Sequence, residues 1–136
     1  FCPASTTEVS EKGPKRRVLA WNRVGRVTCL DDRSESIVEV DFADVTMHRK
    51  MRVTDLYAYT MGALSEAGVV LSASAIPDQG MRAVVHFKPV AGLVGGAEWQ
   101  DTLETGDDVA GIAVGDDWIA AVCHPYLFLR VWSVNG

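Results

Sequence analysis

Three histidines, His48, His86 and His124, and three cysteines, Cys2, Cys29 and Cys123, are the side chains best suited to metal or nucleophilic chemistry in this sequence. Protein metal sites draw such ligands from short spacings such as C-x-x-C or H-E-x-x-H, which place two donors on one turn or one helix face. Neither spacing occurs here, and the histidines stand far apart. An odd number of widely separated cysteines is no disulfide framework, which points to a reducing compartment. Cys29 and Cys123 each end an apolar run and are expected to be small buried hydrophobes, while Cys2 falls in a tail. His124 precedes Pro125 in a turn. His86, alternating with Val85 and Phe87 on a strand, is expected at the surface.

Carboxylates come in pairs at Asp31-Asp32, Asp107-Asp108 and Asp116-Asp117, the raw material of acid–base catalysis or calcium binding. Neighbours on a strand face opposite ways, however, and each pair lies at a turn, where Asp bonds its own backbone. The glycine-rich run Gly92 to Gly96 lacks the lysine and following helix of a phosphate cradle and reads as a loop. No G-x-S-x-G elbow is present. The expectation is therefore no enzyme: no catalytic, cofactor-binding or metal-binding residue, and no cofactor. Two basic clusters, Lys15-Arg16-Arg17 and His48-Arg49-Lys50 with Arg52, could contact phosphate; strand edges and loop ends also carry such charges to discourage edge pairing.

Whatever these residues do, strands must position them. Short runs rich in Val, Ile and aromatics recur between Gly, Asp, Asn and Pro punctuation. Arg17 to Trp21 and Gly25 to Leu30 flank a turn at Asn22 to Val24, a hairpin pattern. Ser36 to Phe42 alternates, with Val38, Val40 and Phe42 on one face and Ile37, Glu39 and Asp41 on the other. Further strands are expected at Leu56 to Met61, Val69 to Ser74, Met81 to Phe87, Val109 to Val114, Trp118 to Cys123 and Tyr126 to Ser133. The stretch Asp55 to Ala67 also has helical spacing, but Gly62 and Gly68 and the repeat described next argue for strands there.

Phe42, Phe87 and Trp132 each close a strand and stand 45 residues apart. A period of about 40–45 residues holding three or four short antiparallel strands is that of a β-propeller blade of the WD-repeat kind. A β-sandwich would also show short strands and frequent turns; the equal spacing favours the propeller. The fold class expected is all-β, about three antiparallel propeller blades. Residues 1–16, rich in Ser, Thr, Pro, Gly and charge, read as a flexible linker, and 17–136 as the blades. With a net charge of -5, a phosphate backbone is not the first partner to expect, and no apolar run approaches the length of a membrane span.

Three stretches together carry a family resemblance: Leu19 to Val27 (LAWNRVGRV), Ile37 to His48 (IVEVDFADVTMH), and Gly111 to Val122 (GIAVGDDWIAAV) leading into Leu129 to Ser133 (LRVWS). Their order resembles the SepB-like central domain of the eukaryotic WD-repeat and HMG-box DNA-binding replisome adaptors, whose fungal relatives are the minichromosome loss and chromosome transmission fidelity proteins. The likeness runs from about Lys15 to Gly136. It implies the N-terminal half of a six-bladed propeller in a nuclear, non-catalytic scaffold that forms homotrimers and links the replicative helicase to DNA polymerase alpha. In that family the client-peptide site belongs to helices appended after the propeller, so partner-binding residues here are unknown. DNA binding is expected mainly outside this segment, and no membrane role is implied. The rival readings are a direct DNA-binding module, which should align Arg16, Arg23, Arg49 and Arg52 on one face, and an unrelated propeller enzyme or ligand binder, which should gather His48, His86 and carboxylates. Propellers have four to eight blades, so three predict a half-domain with exposed apolar faces that self-associates when isolated.

Overall fold

The computed structural model describes residues 2–3, 7–8, 15–31, 34–44, 46, 50–90 and 97–136. Two short strands, β1 (Cys2–Pro3) and β2 (Thr7–Glu8), precede three antiparallel units. The first unit is β3 (Lys15–Trp21), β4 (Gly25–Asp31), β5 (Ser36–Phe42) and β6 (Met51–Thr54); the second is β7 (Met61–Leu64), β8 (Gly68–Ala73), β9 (Val84–Pro89) and β10 (Trp99–Thr102). The third holds β11 (Asp108–Val114), β12 (Trp118–His124) and β13 (Phe128–Ser133). Strand order within each unit follows the chain, with β2 added beside β3 and β1 beside β7. The first strands of successive units touch one another, as blades do around a propeller axis. The chain is all-β and built of propeller blades, called blades I, II and III below.

Cores lie between blades. Val38, Val40 and Phe42 of blade I pack on Val69, Leu71 and Ala73 of blade II, joined by Leu19, Val27, Cys29 and Tyr59. The opposite face of blade II sets Val70, Val85 and Phe87 against Val109, Ile112, Ile119, Ala121 and Cys123 of blade III. This explains the sequence pattern of each strand. In β8 every residue is buried because both faces of blade II are covered, whereas β5 and β13 alternate because one face of blades I and III is not. Cys29 and Cys123 are free, fully buried thiols, and burial pushes both above the usual thiol pKa.

Boundaries shift in several places. β5 matches the alternating pattern from end to end, and the hairpin at Asn22 is made by the Asn22 side-chain oxygen, which accepts from the Val24 and Gly25 amides. The strand expected at Leu56 to Met61 instead starts at Met61. Residues 55–60 form an irregular link, because the Asp55 carboxylate takes the Tyr57 and Tyr59 amides at 3.1 Å and Ala58 has a φ of 58°. The link is not helical, as expected. The spacing of aromatics is also refined. Phe42, Phe87 and Trp132 all lie on third strands, but Ala43→Val24, Val90→Ala67 and Val134→Asp117 are the equivalent backbone bonds, and they make Phe42 the counterpart of Pro89 and Ser133 in the repeat. Phe42 and Phe87 face the following blade, while Trp132 faces back to the preceding one.

Those equivalent turns need glycine twice. A Cβ on Gly25 would run into the Asp41 carbonyl oxygen and the Phe42 Cα, and one on Gly68 into the Lys88 carbonyl oxygen and the Pro89 Cα. Backbone cannot swing aside as a side chain can. Gly68→Ala is therefore expected to cost about 3 kcal/mol, the upper end of ordinary overpacking. It should be read as a lower urea midpoint at unchanged slope. Gly62→Ala, whose new methyl meets only side chains of Leu19, Val27 and Leu71, should cost clearly less; equal losses would refute the backbone explanation.

Candidate interaction surfaces

The candidate ligands do not converge. His124 is exposed at the end of β12, His48 lies outside the described residues, and among the described residues no three His, Cys, Asp or Glu side chains come together as a metal set. The acidic pairs act locally. Asp108 Oδ1 accepts from the Val109 and Ala75 amides, Asp107 pairs with Arg130 at 3.1 Å, and Asp31 accepts from Ser36. Asp116 and Asp117 sit in the exposed β11–β12 turn. Asp32 and the glycine run 92–96 lie outside the described residues.

His86 corrects the sequence reading. It is buried rather than superficial, because its side of β9 faces blade I instead of solvent. Its Nδ1 lies 2.7 Å from the Tyr59 hydroxyl and its Nε2 2.8 Å from Glu98 Oε1. Tyr59 is 1% exposed; burial, then the negative charge of Asp55, holds its phenol well above the usual tyrosine range, so it stays a protonated donor. The Tyr59 carbonyl accepts from Arg17 of blade I at 3.2 Å. Arg17–Tyr59–His86–Glu98 thus forms a polar tie across the first blade seam. No signal in the sequence marks it, since its linked members stand 42, 27 and 12 residues apart. His86→Phe should cost about 2 kcal/mol, the price of an unpaired buried hydroxyl, and adding Tyr59→Phe should restore most of it. A thermodynamic cycle in which the two losses simply add would exclude the tie.

The two uncovered sheet faces differ in kind. On blade I, alternation and register lay out three rows across β3–β6: Arg16, Leu30, Ile37, Thr54; then Val18, Thr28, Glu39, Arg52; then Arg26, Asp41, Lys50. Glu39 is held by Arg52 at 2.9 Å and Lys50 at 3.0 Å, while Arg26 reaches Asp41 at 3.7 Å. The hydrogen bond to Glu39, then the charge of Asp41, raises the Lys50 pKa. Arg16 and Arg52 do share this face, but Arg23 lies in the β3–β4 turn and Arg49 outside the described residues. Carboxylates interrupt the basic set.

On blade III the free face carries no such charges. Trp118, Val122, Leu129 and Val131 are 43%, 38%, 62% and 60% exposed, and they lie on the side of β12 and β13 opposite Ile119, Cys123 and Trp132. The neighbouring turn adds exposed Tyr126 and Leu127. This is the composition of the covered faces of blade II, left bare. A contiguous apolar sheet face of this size marks a site of contact.

The sequence profile of the family described as "Minichromosome loss protein, Mcl1, middle region" matches residues 1–136. Among curated proteins, the chain is 27% identical over 120 residues to WD repeat and HMG-box DNA-binding protein 1 of Mus musculus, covering 88% of this chain and 10% of that protein. It is 32% identical over 123 residues to Protein ENHANCER OF LHP1 1 of Arabidopsis thaliana, covering 90% of this chain and 13% of the relative. Minichromosome loss protein 1 of Schizosaccharomyces pombe matches at 25% over 122 residues, covering 89% and 15%. The chain thus spans a small fraction of the length of each relative.

Proposed function

Because this chain belongs to the Mcl1 middle-region family, we propose that it is the first half of a propeller in a nuclear DNA-replication protein, acting as a non-catalytic scaffold. The observation that carries this reading is the bare apolar face of blade III, Val122, Leu129 and Val131, which repeats the character of the faces already buried between blades. A blade with that face needs another blade on it. The completed ring is a rigid disc with few free strand edges. Assembled as a homotrimer it would raise the effective concentration of tethered clients, here the replicative helicase components and DNA polymerase alpha.

The test uses the longer natural protein that carries this segment. Leu129→Asp with Val131→Asp should unseat the next blade, and precipitation of the tagged protein should lose both helicase and polymerase. Retention of both clients would show that they do not depend on the completed ring, and a parent protein that brings down neither would sink the scaffold reading. Binding of this chain alone to a duplex oligonucleotide separates the DNA-module reading: a tight complex that weakens steeply with salt would favour it over ours.

A further inference from the structure

We infer that the outward face of blade I is the closing seam of the ring, and that the closing blade places a carboxylate over Thr28 between Arg16 and Arg26. The inference rests on the ring reading above and goes further by giving the seam its chemistry. Both seams within this chain have apolar cores, the first with the Arg17–Tyr59–His86–Glu98 tie beside it, and the free face of blade III is apolar too. Among the described side chains the free face of blade I carries Arg16, Arg26, Lys50 and Arg52 against Glu39 and Asp41, an excess of positive charge; the register also sets Glu8 of β2 beside Arg16. Whatever covers it must be polar and, on balance, acidic.

The position of the incoming group follows from what is unsatisfied. Arg16, Val18, Arg26, Thr28 and Leu30 line a shallow hollow of about 280 Å³, walled on the far side by Glu39 and Asp41. Thr28 is 8% exposed, and its hydroxyl is buried without a hydrogen-bond partner. Glu39, directly across the ladder from Thr28, is already occupied by Arg52 and Lys50. Among the described side chains Arg16 has no ion pair and Arg26 has only its 3.7 Å contact with Asp41; Glu8 stands across the ladder from Arg16 on the side away from Thr28. A carboxylate above Thr28 would accept from the buried hydroxyl and from one N–H of each guanidinium group. A phosphodiester chain fits less well, since its repeating charges would also fall on Glu39 and Asp41.

A seam held this way is weakened by salt, whereas apolar seams are not. The test is thiol labelling, mapped by mass spectrometry, of Ile37→Cys and Val131→Cys in the longer natural protein, with the same variants in the present chain as the uncovered reference. Both positions should be protected at about 0.05 M NaCl. At about 1 M, labelling of Ile37→Cys should accelerate about tenfold while Val131→Cys stays protected. Arg16→Gln with Arg26→Gln should open Ile37→Cys at low salt. If both positions are protected but Ile37→Cys ignores salt and the arginine changes, the polar seam is wrong and the ring stands. If Val131→Cys labels as fast in the long protein as in this chain, the ring reading itself fails. Tight duplex DNA binding that disappears with Arg16→Gln and Arg26→Gln would also overturn the proposal.

Discussion

Phe87→Ala is expected to remove about 3–5 kcal/mol of stability, the range for emptying a fully buried aromatic site. Phe87 is 0% exposed and stands in the core between blades II and III, with its ring 6.0 Å from Trp99, which in turn lies 5.9 Å from Trp132. The aromatic row ties the third strand of blade II to the outer strand β10 and on to blade III. The indoles are anchored at their polar ends, Trp132 to Asp101 at 2.9 Å and Trp99 to the Val134 carbonyl at 3.1 Å, so they cannot collapse freely into the space left behind. Domains of this size have only about 5–15 kcal/mol in hand. The variant should unfold at markedly lower urea with loss of the tryptophan environment, and Phe87→Leu should recover a large part. A Phe87→Ala midpoint near that of the parent would mean that blades II and III do not share this core.

The second large effect is on assembly. The isolated chain is expected to self-associate through the free face of blade III, because Trp118, Val122, Leu129 and Val131 leave an apolar sheet face in water. Leu129→Lys with Val131→Lys places two charges at its centre without touching the inward side of β13, where Phe128, Arg130 and Trp132 pack. Light scattering should change from a concentration-dependent mixture to a monomer, with circular dichroism unaltered. The opposite face provides the control: Ile37→Lys, placed among charges, should leave the parent's association as it was. A parent chain that is already a monodisperse, stable monomer would contradict the half-ring reading. The charged double variant is also the background in which the stability changes of Gly68→Ala, His86→Phe and Phe87→Ala are best measured, since unfolding is then not linked to dissociation.

Much of the fold is legible in the letters. Strand β5 shows its burial pattern directly, because it is covered on one side only and period two survives. β8 opens on the apolar run Gly68 to Leu71 because neighbours cover both its faces, and the hairpin at Asn22 follows from side-chain chemistry inside four residues. The fourth strands β6 (Met51–Thr54) and β10 (Trp99–Thr102) are missing from the sequence reading. They are short, alternate with polar residues and pair on one edge only, so they lack both an apolar run and clear turn punctuation. Spacing of aromatics locates the repeat but misjudges its register, since the equivalent residues are set by turn hydrogen bonds that unequal loops carry past a fixed interval. The family resemblance was legible too, in three ordered stretches, and the profile match extends over the whole chain.

What the sequence by itself determined is local: which residues alternate, where turns fall, and that short strands repeat with a period near 45. Those properties depend on backbone geometry and on neighbours a few positions away. What only the tertiary structure decided is which alternating face is covered, and by what. Val38 and Val131 look alike in the letters, yet one lies against blade II and the other is bare; His86 looks like a surface residue, yet the link between blades I and II closes over it and gives it Tyr59. Burial of a sheet face is a property of the next layer, tens of residues away, and the alternation that marks a face says nothing about what is set against it.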